Sequence, residues 1–248
     1  MIVLKTTPQL ELMRIAGRVS AQALQLAGEM VRPGITTGQI DKKVHQFILS
    51  QNARPSFLGY GGFPASVCVS VNDTVIHGIP GGRVIQEGDV VSIDVGACYR
   101  GYHCDNAATF PAGKISEKAQ ALLEATQQSL YKGISAATVG NRVGDIGHAV
   151  QSYIEPLGYN VVRKFVGHGV GKDMHEAPEV PNFGKAGIGL RLAAGMTIAI
   201  EPMINMGDGD IKILPDGWTV LTVDGSLSAH FEHTIAITEG GPVILTEP

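Results

Sequence analysis

Two heptapeptides constrain this chain more than any other feature. GDVVSID (88–94) and GMTIAIE (195–201) each open on glycine, alternate through an apolar run, and place an acid six residues later. Each acid has a second acid downstream on another strand-like segment, Asp105 after Asp94 and Glu232 after Glu201. Successive side chains of a strand point to opposite faces. Asp94 therefore shares a face with Val90 and Ser92, opposite Val91, Ile93 and Val95. Glu201 shares one with Thr197 and Ala199, opposite Met196, Ile198 and Ile200. Glu232 goes with Thr234 and Ala236, opposite Phe231, Ile235 and Ile237, and Asp105 goes with His103 and Ala107. The fold must bury the bulky faces and gather the acidic faces, which carry mostly small or polar neighbours.

The flanking segments supply the cover. Leu10, Met13, Gly17, Ser20, Leu24, Ala27 and Val31 recur at steps of three and four, which predicts a helix from Pro8 to about Val31, stopped by Arg32-Pro33-Gly34. A second helix starts after Thr36 or Thr37. Ser116 caps a third that runs to about Val139, and a fourth covers residues 144–155. Strands are expected at SVCVSVNDTVIHGIP, in a hairpin over GDVVSIDVGACYRGYHCDNAATF, and at NVVRKFVG, GMTIAIEPM, GWTVLTVDG and AHFEHTIAIT. Helices then strands, twice, predict an α+β fold. It would be one catalytic domain over residues 1–248, made of similar halves at about 1–113 and 114–248 that face each other.

Four carboxylates gathered in a cavity repel one another and lose hydration, so they need cations. Lysine and arginine total 19 in 248 residues and are scarce beside these strands, which makes bound metal the natural counter-charge. Of eight histidines, His168 lies between glycines in KFVGHGVGKDMHEAP, His175 follows it, and His77 ends VNDTVIH. Other motifs fail. GVGK lacks the spacing and the final Ser or Thr of a phosphate loop, HEAPE is not H-E-x-x-H, GYGGFP lacks dinucleotide spacing, and no G-x-S-x-G occurs. The net charge of −4, without long runs of one sign, argues against a nucleic-acid or membrane-surface binder, and no apolar stretch is long enough to span a bilayer. Three cysteines without metal-type spacing, and no signal-peptide pattern, fit a cytoplasmic protein.

Asp94, Asp105, His168, Glu201 and Glu232, with VNDTVIHGIP, IDVGACYRGYHCD, GHGVGKDMHEAP, IEPM and FEHT, resemble the methionine aminopeptidases of the short bacterial type along essentially the whole chain. The resemblance implies the pita-bread fold, two pseudo-symmetric halves with a curved antiparallel sheet covered by helices on its outer face. It also implies two divalent ions (Mn, Fe or Co). Asp94 would hold one, His168 and Glu201 the other, with Asp105 and Glu232 between them. The implied activity is removal of the initiator methionine from nascent proteins, by a metal-bridged hydroxide attacking the first peptide carbonyl. Glu201 would be the proton shuttle, His175 the oxyanion donor, and His77 a second catalytic and substrate-orienting group. Tyr60, Phe63, Cys68, Met174 and Trp218 would form the methionine pocket. A monomer acting on nascent chains, at or near the ribosome, is expected.

The same fold also serves proline-directed aminopeptidases, which usually carry an added N-terminal domain for which 248 residues leave no room. A metal-free peptide-binding module is the remaining alternative, and the intact set of five ligands argues against it. Four positions depart from the family pattern: Cys104 stands for Gly, Asn106 for Ser or Thr, Ala177 for an acid and His230 for Gln. His230, on the strand face of Glu232, is expected to reach behind the metal ligands.

Overall fold

The structure, a computed structural model, describes residues 2–248. Four helices form where the periodicity places them: α1 (Thr7–Met30), α2 (Thr37–Ser50), α3 (Glu117–Ala136) and α4 (Val143–Ile154). Thr36 and Gln39 cap α2 reciprocally. The Thr36 Oγ1 accepts from the Gln39 N–H, and the Gln39 Oε1 accepts from the Thr36 N–H at 2.8 Å. Ser116 Oγ accepts from the Ala119 N–H at the start of α3. That helix stops at Ala136, short of Val139, where the Asn141 side chain donates to the Ala136 carbonyl and the chain turns.

A nine-stranded, wholly antiparallel sheet carries the site. Its main path runs Arg54–Pro55, Val90–Tyr99, Tyr102–Pro111, Glu232–Thr238, Thr197–Ile200, Gly167–Gly169 and Glu176–Val180. Val67–Val71 adds beside Val90–Tyr99, and Gly241–Ile244 beside Glu232–Thr238. The sheet therefore joins strands of both halves at its centre, where Tyr102–Pro111 meets Glu232–Thr238. The segment NVVRKFVG is not one strand. Asn160–Val161 pairs in a small three-stranded sheet and Gly167–Gly169 in the large one, because Arg163 and Lys164 between them are exposed and the chain crosses from one sheet to the other there.

The apolar faces divide between two cores. Val91, Ile93 and Val95 pack with Val19, Ala23 and Ala27 of α1 and Ile40, Val44 and Ile48 of α2. Ile198, Ile200, Ile235 and Ile237 pack with Leu122, Leu130 and Ile134 of α3 and Ile146 of α4. Burying each such side chain stabilises the fold by about 1.5–3 kcal/mol. Helix α1 lies close because of Gly17, where an added Cβ would sit 2.1 Å from the Leu245 carbonyl oxygen. With both apolar faces covered by helices, the opposite faces turn toward each other.

At the centre, the strands Tyr102–Pro111 and Glu232–Thr238 share only the rungs Glu232–Ala107 and His233–Asn106. Two residues beyond the Glu232–Ala107 rung, on either strand, a threonine hydroxyl replaces the ladder. Thr234 Oγ1 donates to the Asp105 carbonyl (2.8 Å) and accepts from its N–H (3.1 Å). Thr109 Oγ1 donates to the His230 carbonyl (2.9 Å) and accepts from its N–H (2.9 Å). The pairing opens on both sides of a two-residue waist without leaving these backbone groups unsatisfied.

Candidate metal centre and substrate cavity

Register brings the four acids to one side of the sheet. Cys68 lies opposite Asp94, Asp94 opposite Ala107, and Ala107 opposite Glu232; in the next row Gly96 lies opposite Asp105. Glu201 follows directly on Thr197–Ile200, and His168 is the central residue of the three-residue strand Gly167–Gly169. Gly96 keeps the floor low, since a Cβ there would come within 2.8 Å of both Phe57 and Ser56.

One ligand atom each from Asp105, His168 and Glu232 lies within 4.8 Å of the others. His168 Nε2 is 3.6 Å from Asp105 Oδ2 and 3.6 Å from Glu201 Oε1. Its Nδ1 is 2.9 Å from the Gly169 carbonyl, which can only accept, so Nδ1 carries the proton. In the neutral ring Nε2 then presents a lone pair to two carboxylates, an arrangement that holds together when a cation lies between them. Asp94 Oδ1 is buried without a partner. Among the described residues, no lysine or arginine pairs with any of the four acids.

Without ions the cluster is electrostatically strained. Burial first, then the neighbouring Asp105, raises Asp94 well above the ordinary carboxylate range. Glu201 and Glu232 rise likewise through burial and the charges of Asp105 and Asp94. Asp105 is pushed up to about 6 by burial, partly opposed by the hydrogen bond from Thr234. Burial lowers His168 and His77 to about 4, so their rings are neutral at pH 7. Five oxygen- and nitrogen-bearing groups with no internal counter-charge fit divalent cations.

The cluster forms the floor of a cavity of about 340 Å³. Tyr60, Phe63, Cys68 and Trp218 line its walls, and the structure adds Phe57, which sequence reasoning missed. Phe63 and Trp218 meet edge to face at 5.1 Å. Met174 belongs to the same apolar cluster but stands behind the wall, 2% exposed, rather than on the cavity surface. His77 holds a left-handed backbone (φ 57°) that places its ring edge-on to Phe165 and Trp218. His175 stands near the mouth, its ring 4.0 Å from that of His168, with Nδ1 2.8 Å from the Tyr60 hydroxyl. Behind it, Lys5 forms a buried ion pair with Glu176.

The chain matches metallopeptidase family M24 over residues 11–239. It belongs to this family. A methionine aminopeptidase of Clostridium perfringens is 54% identical over 246 residues, covering 99% of each chain. The crystal structure of methionine aminopeptidase from Thermotoga maritima superposes with a TM-score of 0.99 at 44% identity, covering 100% of each chain. Prolidase from Pyrococcus furiosus superposes at 0.82 with 24% identity over 66% of that chain, which shows the shared fold alone. The fold is thus the pita-bread fold of the M24 peptidases, and membership implies divalent metal ions.

Proposed function

We propose that this protein is a methionine aminopeptidase that removes the initiator methionine from new polypeptides. The observation that carries the proposal is an aromatic and sulfur-lined chamber opening directly onto the His168-carboxylate cluster. Such a lining suits an unbranched, polarizable thioether. The relatives named above support the same activity.

On this reading Asp94, Asp105, His168, Glu201 and Glu232 would hold two divalent ions. Oxygen donors with one imidazole suit Mn, Fe or Co. Bound ions would polarise the scissile carbonyl and lower the pKa of a water molecule at the site. Glu201 takes the proton from that water and delivers it to the departing amide nitrogen. The Tyr60 hydroxyl donates to His175 Nδ1, leaving Nε2–H to donate to the carbonyl oxygen as negative charge builds there. His77, against Trp218, orients the peptide from the other wall. Phe57, Phe63, Cys68 and Trp218 exclude water from the methionine side chain, and Cys68 stays a neutral thiol because burial, then the nearby Asp94 and Glu232, raises its pKa. The proposal further takes residues 1–248 as one catalytic domain, acting as a cytoplasmic monomer on nascent chains as they leave the ribosome. Residue 1 lies outside the described part. None of the described helices is long and apolar enough to cross a membrane.

The test is methionine release from Met-Ala-Ser, its N-acetylated form and an Ala-Pro-Ser control, with Mn or Co added to chelator-treated protein. Metal-dependent cleavage of the first peptide alone is expected. Equal turnover of the acetylated peptide, or preference for the Xaa-Pro peptide, would overturn the reading.

A further inference from the structure

Of the four positions that depart from the family pattern, one faces the acid cluster. Cys104 Sγ donates to the Met13 carbonyl and Asn106 Oδ1 accepts from Ser20, so both turn toward α1, and Ala177 is exposed. His230 differs. It is 2% exposed, and its Nε2 is buried without a hydrogen-bond partner. Its backbone is pinned at both N–H and C=O by the Thr109 hydroxyl, so the ring leaves the strand from a fixed point.

The ring faces Glu201. His230 Nε2 is 3.9 Å from Glu201 Oε2, while Glu201 Oε1 is 3.6 Å from His168 Nε2. The carboxylate stands between two imidazoles, one to each oxygen. The convergent donors are Asp105, His168 and Glu232, and His230 is not among them. His230 therefore reaches the Glu201 oxygen that His168 does not, without joining that group.

We propose that His230 is a positioning residue for Glu201. Its Nε2–H donates to Oε2, which holds the carboxylate in one orientation and commits Oε1 to the His168 side. The last torsion of a glutamate is broad, so a modest rotation of the carboxylate closes the 3.9 Å gap to hydrogen-bond length. Outer hydrogen bonds of this kind orient ligating carboxylates and strengthen ion binding. The inference rests on the reading of Glu201 as an ion ligand and proton carrier.

The experiment compares the wild-type protein with His230→Leu, which removes the donor, and His230→Gln, which keeps an N–H. Mn(II) and Co(II) affinities come from calorimetry on chelator-treated protein, and kcat and KM for Met-Ala-Ser are measured at saturating ion. His230→Leu should weaken ion binding by about 10- to 100-fold and lower kcat with KM little changed, while His230→Gln stays within about threefold in affinity. His230→Leu within twofold of wild type in both affinity and kcat overturns the positioning role, as does a His230→Gln as impaired as His230→Leu. If the leucine variant loses its folded circular-dichroism signature, His230→Asn, whose amide is too short to reach Glu201, replaces it under the same criteria. A wild-type protein that binds neither ion overturns the parent reading of the site, a result distinguishable from failure of the variants to differ.

Discussion

Lowering pH should weaken ion binding through the carboxylates, well before the histidines matter. In the ion-free protein Asp105 titrates near pH 6, whereas His168 titrates near 4. An ion entering below about pH 6 must displace the Asp105 proton, and the fraction of sites already deprotonated falls as 1/(1 + 10^(6−pH)). Between pH 7.5 and pH 5 that term alone weakens binding by about tenfold. Asp94, Glu201 and Glu232, also raised, push the slope the same way. The sign for folding is opposite to the usual carboxylate case. A raised folded-state pKa means that the native chain binds the proton more tightly than the unfolded chain. For Asp105 the resulting stabilisation is complete below about pH 4 and is lost as pH rises through about 6, a change of about 3 kcal/mol. Added ions replace the lost protons, so the gap in thermal midpoint between loaded and chelated protein should widen from pH 5 to pH 7.5. Calorimetry in two buffers of different ionisation enthalpy measures both Kd and protons released. A Kd constant within twofold across this range, with no proton release at pH 5, would refute the electrostatic account and leave a site governed by histidine alone.

Three further outcomes follow from named contacts. His175→Ala should cut kcat by about 100-fold with methionine binding largely intact, because it removes the oxyanion donor held by Tyr60; steady-state kinetics on Met-Ala-Ser checks it. Trp218→Ala opens the chamber wall against Phe63 and should raise KM about tenfold while a thermal scan moves little, since Trp218 is only partly buried. Thr234→Val strands the Asp105 N–H and C=O at the sheet waist and should destabilise the protein by about 2–4 kcal/mol in urea unfolding, with Thr234→Ser close to wild type.

The helices and the apolar alternation beside the acids were legible because their signals are local, but the expected strands GMTIAIEPM and AHFEHTIAIT are each broken, at Glu201–Pro202 and at Phe231, and divided between the large sheet and a small three-stranded one. Spacing of three and four marks α1, and alternation puts Val91, Ile93 and Val95 opposite Asp94, which is where the packed core lies. His168, Asp105, Glu201 and Glu232 come together as the paired acids predicted, and His77 and His175 stand on the cavity walls. The misses have non-local causes. Phe57 lines the chamber because Gly96 on a neighbouring strand leaves room for its ring, a contact that no window around residue 57 contains. Met174 was expected on the pocket surface, but it packs behind Phe63 and Cys68, which line the cavity with Trp218. The broken strand at residues 160–167 reads as continuous because apolar alternation cannot say that its two ends join different sheets.

The two threonines explain why the sequence echo and the metal cluster belong together. Only two rungs join Tyr102–Pro111 and Glu232–Thr238 in the large sheet, and the ladder stops on either side. Each strand would then leave a buried N–H and C=O unpaired, and a β-branched hydroxyl just beyond the waist, Thr234 on one side and Thr109 on the other, satisfies both. The groups so held are the backbones of Asp105 and His230. One side chain joins the convergent ligand group and the other faces Glu201. The hydroxyls that end the ladder at the junction of the two halves therefore also fix the points from which these side chains leave the backbone. Thr109 and Thr234, neither of them a candidate ligand, thus hold the backbones from which Asp105 and His230 reach the cluster.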